Sequence, residues 1–165
     1  MKILFLHGLE SGPHGSKYLA LKEMFGEVLA PDCSGVKDEI ERLKIIERDI
    51  SREVGPYLVI GSSMGGLMAL LLQKAHPEQV AGLVLCAPAI NRPAATGLDL
   101  NKLPPTIVIH GTQDNVVPID ASQPFGEKLI KVDDNHQLSH SMADILHAVF
   151  EIKLKLSNLQ PGRRI

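Results

Sequence analysis

The sequence has no tryptophan, two cysteines and no surplus of positive charge. Aromatic residues make up 4% of the 165 residues, which gives no sign of a platform for stacking sugar rings. The formal net charge is −2, so no basic field is available to hold nucleic acid, and we expect no nucleic-acid partner. Cys33 and Cys86 lack CxxC spacing, which predicts reduced thiols and a cytoplasmic location.

Long hydrophobic runs and metal-binding motifs are also missing. The first eight residues, MKILFLHG, contain one lysine and four consecutive apolar residues, too few for a signal-peptide core. No run approaches the ~18 apolar residues of a membrane span. The histidines are dispersed, with no H-E-x-x-H, Walker loop or G-x-G-x-x-G after a strand, so we expect no metal and no cofactor.

What remains is the composition of an ordinary globular protein, with 44% hydrophobic and 22% charged residues. Its length predicts a single domain over residues 1–156, and the loss of periodicity beyond it predicts a flexible tail over 157–165. Short apolar runs alternate with helical patterns. The predicted strands are Lys2–Leu6, Glu27–Ala30, Tyr57–Gly61, Val80–Cys86, Thr106–His110 and Lys128–Val132, and the predicted helices span 16–25, 37–53, 65–76 and 139–155.

This alternation predicts an α/β fold: a mostly parallel central sheet of about six strands with helices on both faces. In the second helix Asp38 and Glu39 near the start suit the helix dipole, and apolar residues recur at helical spacing: Ile40, Leu43, Ile46, Ile50 and Val54. Ligands of such folds bind beyond the carboxyl ends of the strands. Polar residues do follow the strands there, at 7–9, 61–65, 110–114 and 133–136.

The segment Gly61-x-Ser63-x-Gly65 fits the nucleophile elbow, a sharp turn between a strand and a helix. Side chains two residues before and after the central serine would collide, so both positions must be small. The alternative is a turn that merely starts a helix, but an apolar strand precedes it and a clear helix follows. Ser62 has Ile60 and Met64 at the clearance positions, so we expect it only to pack or make a local hydrogen bond.

A serine needs a base and an orienting acid, which follow it in the order serine, acid, histidine. Asp114 after the fifth strand is the predicted acid, whereas Asp120 lies beyond Pro118 and is expected to cap a helix. His136 directly after the last strand is the predicted base, and His140 would be carried away along the helix. His7 and His110, which precede glycines at strand ends, are expected to make structural hydrogen bonds.

Acyl transfer also needs donors for an oxyanion. The Met64 amide, at the start of the helix after Ser63, is one predicted donor, and the Leu9 amide after the first strand is the other.

Together these residues resemble the α/β-hydrolase superfamily, from Lys2 to about Phe150. The stretches LHGLESGPHGSK, GSSMGG and DDNHQL are similar to the compact YqiA-type bacterial esterases. The resemblance implies a catalytic triad of Ser63, Asp114 and His136, with Leu9 at the oxyanion hole. The family usually has glycines before its histidine; here stand Asp133 and Asp134, which could raise the pKa of His136 or compete with Asp114.

The resemblance also bears on the substrate. Larger relatives insert a cap between the fourth and fifth strands, where this chain has a short, proline-rich segment from Ala87 to Pro105. We therefore expect no cap domain and an open site. The leading hypothesis is a serine hydrolase, carboxylesterase- or thioesterase-like, that cleaves small acyl esters through a Ser63 acyl-enzyme. The alternatives are a non-catalytic binding protein on the same scaffold, or an acyltransferase or peptidase.

Overall fold

The computed structural model of the protein describes residues 1–160, which form one parallel sheet and its surrounding helices. The strands are β1 Lys2–Leu6, β2 Val28–Leu29, β3 Tyr57–Ser62, β4 Val80–Cys86, β5 Thr106–Gly111 and β6 Leu129–Val132. The helices are α1 Ser16–Phe25, α2 Glu39–Ile50, α3 Met64–Ala75 and α4 Met142–Asn158. Short 3₁₀ segments lie at Pro77–Gln79, Pro93–Ala95 and Ile119–Lys128. The predicted α/β class and six-stranded sheet are confirmed.

The strand order is β2-β1-β3-β4-β5-β6, and every neighbouring pair is parallel. The chain moves outward from β1 to β2 and then crosses back to β3 on the other side of β1. The order therefore reverses between β1 and β3, whose ends meet where Leu6 pairs with Gly61. Open α/β sheets bind their ligands at such a switch point.

Two hydrophobic layers cover the sheet. On one face α2 and α3 pack over Leu4 and Val59, and on the other α1 and α4 pack over Ile3 and Leu58. Both faces of the central strands are thus buried, which explains why these strands are almost continuously apolar in the sequence.

Helix α2 is shorter than the predicted span 37–53. It starts at Glu39 because the Asp38 carboxylate accepts the Glu41 N–H at 2.9 Å as an N-cap. The helical spacing of apolar residues predicts only part of the buried face of α2. Ile46 and Ile50 are buried, Ile40 and Val54 are exposed, and Arg42 is buried instead.

Helix α4 starts at Met142, three residues after the predicted position, because the preceding residues form a turn. It continues through Asn158, two residues beyond the predicted domain end; residues 161–165 of the predicted tail lie outside the described residues. The segment from Ala87 to Pro105 contains a single 3₁₀ turn, in line with the expected lack of a cap. No helix within residues 1–160 is long and apolar enough to cross a membrane.

Candidate active site

Ser63 occupies a strained turn between β3 and α3. Its φ is 55° and its ψ −115°, a backbone conformation that side-chain-bearing residues adopt rarely and that clusters at functional sites. The Ser63 carbonyl accepts the N–H groups of Gly66 and Leu67, at 2.9 and 3.3 Å, and that of Ala89 at 3.0 Å. The turn is therefore fixed both by its own helix and by the segment after β4.

The predicted elbow glycines stand where the backbone approaches most closely. A Cβ on Gly65 would overlap the carbonyl oxygen of Leu6, and one on Gly61 would lie 2.7 Å from the Cα of Gly66. Such distances leave no room for any side chain at either position. Ser62 lies at the end of β3, paired with Cys86, and is not at the apex of the turn.

The structure brings Ser63, His136 and Asp114 into one hydrogen-bonded chain, although they are separated by up to 73 positions in sequence. The Ser63 hydroxyl donates to His136 Nε2 at 2.9 Å, and His136 Nδ1–H donates to Asp114 Oδ2 at 2.7 Å. The Asp114 side chain is fully buried, whereas that of His136 is 17% exposed. This arrangement is the one that a serine activated by an oriented imidazole requires.

Four donors surround the Asp114 carboxylate. Oδ1 accepts the backbone N–H groups of Val116 and Val117, both at 2.8 Å, and so closes the turn after β5. Oδ2 accepts from His136 and also lies 3.1 Å from Nε2 of His110. The carboxylate is thus held on one oxygen by its own loop and presented to His136 on the other.

Asp120 was expected to cap a helix, and this expectation is wrong. It lies in the first turn of the 3₁₀ segment Ile119–Lys128, whose N-cap residue is Pro118 and which has no side-chain cap.

The loop that carries His136 is organised by Asp134. Its carboxylate accepts the Asn135 N–H, the His140 N–H and the Ser141 hydroxyl at 2.8 to 2.9 Å. Burial opposes ionisation of this group, but the three hydrogen bonds outweigh it and lower the Asp134 pKa. Asp134 is therefore occupied in shaping the turn.

The neighbouring acid and the alternative histidine both point elsewhere. Asp133 is exposed and accepts from the Gln113 side chain at 2.6 Å, so it does not take the place of Asp114 at His136. The His140 side chain is 86% exposed, with Nδ1 3.6 Å from Asp134, and it does not reach Ser63.

The sequence predicts two backbone N–H groups, those of Met64 and Leu9, as oxyanion donors. Met64 is the first residue of α3, where N–H groups have no partner within the helix. Leu9 follows β1, and its neighbour Gly8 lies against Ser63: a Cβ on Gly8 would be 3.5 Å from the Ser63 Cβ. Within residues 1–160 neither the Met64 N–H nor the Leu9 N–H has a hydrogen-bond acceptor.

Comparison with known proteins identifies the family of the chain. The sequence profile of the phospholipase/carboxylesterase family matches residues 30–156, about three quarters of the chain. The chain belongs to the phospholipase/carboxylesterase family. This membership supports an esterase-like hydrolase and confirms the resemblance to the α/β-hydrolase superfamily.

Individual proteins similar to this family member share 19 to 27% of its residues. A pyrethroid hydrolase from Sphingobium wenxiniae is 27% identical over 139 residues, 76% of this chain and 47% of the relative, so the chain spans about half its length. A hydrolase of the alpha/beta superfamily from Xanthomonas campestris pv. campestris superposes with a TM-score of 0.77 at 25% identity, over 93% of this chain and 98% of its own. Est1E from Butyrivibrio proteoclasticus superposes with the same TM-score at 19% identity, over 94% and 88%.

This esterase-family site has two buried polar groups whose contacts the sequence analysis did not identify. His110 was expected to make structural hydrogen bonds, and its Nδ1 indeed accepts from the Ser122 hydroxyl at 2.7 Å while Nε2–H faces the Val117 carbonyl at 2.8 Å. The sequence signal was its position four residues before Asp114. Arg42 received no role at all, yet its guanidinium lies buried beneath the loop after β1.

Proposed function

We propose that the protein is a serine hydrolase that cleaves small acyl esters or thioesters through a covalent intermediate on Ser63. The observation that carries the proposal is the hydrogen-bonded chain from Ser63 Oγ through His136 to the buried Asp114, with distances of 2.9 and 2.7 Å. A strained serine, an imidazole and a buried carboxylate in this order have no evident structural purpose. Membership of an esterase family supports the same reaction.

In the proposed first step Ser63 Oγ attacks the carbonyl carbon of the ester, and its proton passes to His136 Nε2. The carbonyl π electrons move to oxygen and form a tetrahedral oxyanion. The oxyanion then collapses, the bond to the leaving group breaks, and His136 returns the proton to the departing alkoxide or thiolate. Asp114 keeps the Nδ1 proton of His136 directed toward itself and stabilises the imidazolium between these events.

In the second step water replaces the leaving group. His136 Nε2 takes a proton from the water, whose oxygen attacks the acyl carbon and generates a second oxyanion. Its collapse breaks the bond to Ser63 Oγ, which regains the proton from His136. The acid product leaves and the serine is restored, so no cofactor is consumed.

The Met64 and Leu9 N–H groups are the proposed oxyanion donors. They belong to two different elements: Met64 starts α3 directly after Ser63, and Leu9 follows Gly8, which lies against Ser63. The positive end of the α3 dipole adds to this stabilisation. Loss of one such donor typically costs ~2.7–4 kcal/mol of transition-state stabilisation.

The open surroundings of the site support a substrate that needs little enclosure. The segment between β4 and β5 adds one 3₁₀ turn and no covering helix, and Val116 beside Asp114 is exposed. One relative is a pyrethroid hydrolase, and we extend hydrolysis of a carboxylic ester from this family to the present chain.

Labelling with a fluorophosphonate probe and peptide mapping tests the proposal. We expect the probe on Ser63 in folded wild-type protein, and loss of both labelling and ester hydrolysis in Ser63→Ala. Ser62→Ala is the matched control, since it removes the adjacent hydroxyl and should keep both properties. Ester hydrolysis that persists in Ser63→Ala would overturn the mechanism, and an unlabelled, inactive wild type would favour a binding protein. A chain-length series of p-nitrophenyl esters then defines the acyl group.

A further inference from the structure

Arg42 is a buried cation, and no acidic side chain within residues 1–160 forms an ion pair with it. It lies on the inner side of α2 and is 1% exposed, and its burial lowers the pKa of the guanidinium. Glu39, the acid one turn earlier on α2, is bonded to Arg92 at 2.8 Å instead. Burying a charge without a counter-ion is costly, so its position calls for a specific explanation.

Each of the three guanidinium nitrogens donates to a backbone carbonyl group. Nε donates to the Val36 carbonyl at 2.6 Å, Nη1 to that of His7 at 2.9 Å and Nη2 to that of Gly8 at 3.2 Å. Two of these three acceptors are consecutive residues of the loop that follows β1. The planar fork of arginine can hold two neighbouring carbonyls at once, which a lysine ammonium cannot do in the same way.

The Gly8 carbonyl receives a second donor, from the imidazole of His7. Nε2 of His7 accepts the Cys33 N–H at 2.9 Å, which places the remaining proton on Nδ1, 2.7 Å from the Gly8 carbonyl oxygen. Burial lowers the His7 pKa and keeps the ring neutral in this role. Two buried side chains therefore fix the direction of one peptide group.

That peptide group is the one that bears the Leu9 N–H. The bond between Gly8 and Leu9 is trans, so its C=O and N–H point in opposite directions. With the carbonyl drawn inward to Arg42 and His7, the N–H is directed away from the interior. Gly8 itself lies against Ser63, since a Cβ built on Gly8 would be 3.5 Å from the Ser63 Cβ.

We propose that Arg42 is a positioning residue for ester hydrolysis, holding the His7 and Gly8 carbonyls so that the Leu9 N–H faces the oxyanion. The inference rests on the proposed function, since it concerns the same reaction. A cation on the carbonyl side also polarises the peptide and strengthens its N–H as a donor. The stabilisation from the Leu9 N–H grows as negative charge develops on the substrate oxygen. Arg42 therefore acts on the transition state more than on substrate binding.

Substitution of Arg42 tests this role. Arg42→Met removes the charge and the fork but keeps an unbranched side chain, and Arg42→Lys keeps the charge alone. Ile46→Ala is the matched control: Ile46 lies one turn later on the buried side of α2 and makes no polar contact with the loop. For each folded variant we would measure kcat and KM for p-nitrophenyl butyrate, the thermal midpoint Tm, and the inhibition constant of a trifluoromethyl ketone, which forms a tetrahedral oxyanion on serine.

We expect Arg42→Met to lower kcat by about 10- to 100-fold, somewhat less than outright deletion of an oxyanion donor, with KM nearly unchanged. Affinity for the ketone should fall in parallel, and Arg42→Lys should lose less of both. Ile46→Ala should lower Tm while kcat stays close to wild type. A purely structural arginine would lower Tm and leave kcat and ketone affinity of the folded fraction intact.

Three results would overturn the inference: wild-type kcat in folded Arg42→Met, a raised KM with unchanged kcat, or an equal kcat loss in Ile46→Ala. If Arg42→Met does not fold, Arg42→Lys decides, and wild-type kcat and ketone affinity in that variant would refute the role. Ser63→Ala separates this from failure of the proposed function. Hydrolysis that disappears in Ser63→Ala but is unaffected by Arg42 substitution contradicts the inference alone.

Discussion

Replacement of Asp114 by asparagine isolates the orientation of the imidazole from the rest of the site. The Asn carbonyl can take the place of Oδ1 and still accept the Val116 and Val117 N–H groups, which lie at 2.8 Å. The amide NH₂ then occupies the position of Oδ2, 2.7 Å from His136 Nδ1. A donor at this position cannot accept the Nδ1 proton, so the imidazole takes the tautomer with its proton on Nε2.

The wrong tautomer directs an N–H at the Ser63 hydroxyl, so His136 no longer accepts the serine proton. In the Ser-His-Asp triad of serine proteases, the equivalent aspartate-to-asparagine change lowers kcat by roughly 10⁴-fold, which corresponds to about 5 kcal/mol of activation free energy. We expect a loss of this order in Asp114→Asn. The cost in stability should be far smaller, about 1–2 kcal/mol, because the loop hydrogen bonds persist and His110 Nε2–H retains the Val117 carbonyl at 2.8 Å.

The assay is steady-state hydrolysis of a p-nitrophenyl ester, with thermal unfolding followed by circular dichroism. Asp133→Asn is the matched control, because Asp133 is exposed and bonded to Gln113, and it should keep kcat within about threefold. Retention of more than a tenth of wild-type kcat in Asp114→Asn would refute the reasoning. So would a comparable loss in Asp133→Asn, which would transfer the orienting role to the second acid.

Gly65→Ala should destabilise the fold by about 3 kcal/mol or more, because the added methyl group overlaps the Leu6 carbonyl. Gly15→Ala is the control and should cost about 1 kcal/mol or less, because a Cβ there meets nothing within 4 Å. Chemical denaturation measures the free energy of unfolding of both variants. Burial holds the His7 pKa below its ordinary value of 6.5. The contribution of neutral His7 to the free energy of unfolding is therefore fully present above pH 6.5. It falls at lower pH, where the unfolded chain binds a proton more readily than the folded protein does. His7→Asn, which keeps a donor in place of Nδ1, should therefore flatten the decline of Tm between about pH 7 and pH 5, and an unchanged decline would contradict this. Burial also raises the Cys86 pKa to about 11, so iodoacetamide at about pH 8 should modify it only after unfolding; mass spectrometry of the native protein would detect any exception.

The sheet was predictable because its strands carry a strong local signal. The four central strands are buried and largely apolar, and the two edge strands, β2 and β6, are short apolar runs that are partly exposed. Because all six runs lie between helical patterns, the class and the strand count followed from sequence. The ends of elements depended on side-chain contacts that periodicity does not encode. The Asp38 cap delays the start of α2, and a turn organised by Asp134 delays the start of α4.

The candidate site divides in the same way. Ser63, Asp114 and His136 were predictable because each follows a strand, and parallel strands bring their carboxyl ends to one edge. The hydrogen bonds among the three join residues 22 and 73 positions apart, and local sequence patterns do not encode such long-range contacts. Arg42 was missed for a different reason: a charged residue on a helix is usually solvated, and only the fold reveals that two loop carbonyls lie above it.

These contacts give a physical reason why the candidate site holds its geometry. Between β4 and β5 the chain forms one 3₁₀ turn and no helix that could cover the loops, so each loop must be fixed from below or from within. Arg42 holds the loop after β1, the Asp114 carboxylate closes the turn after β5, and Asp134 shapes the loop after β6. Preorganised donors are effective because they need no rearrangement as charge develops. These three buried side chains should therefore influence kcat more strongly than exposed residues around the site, such as Val116.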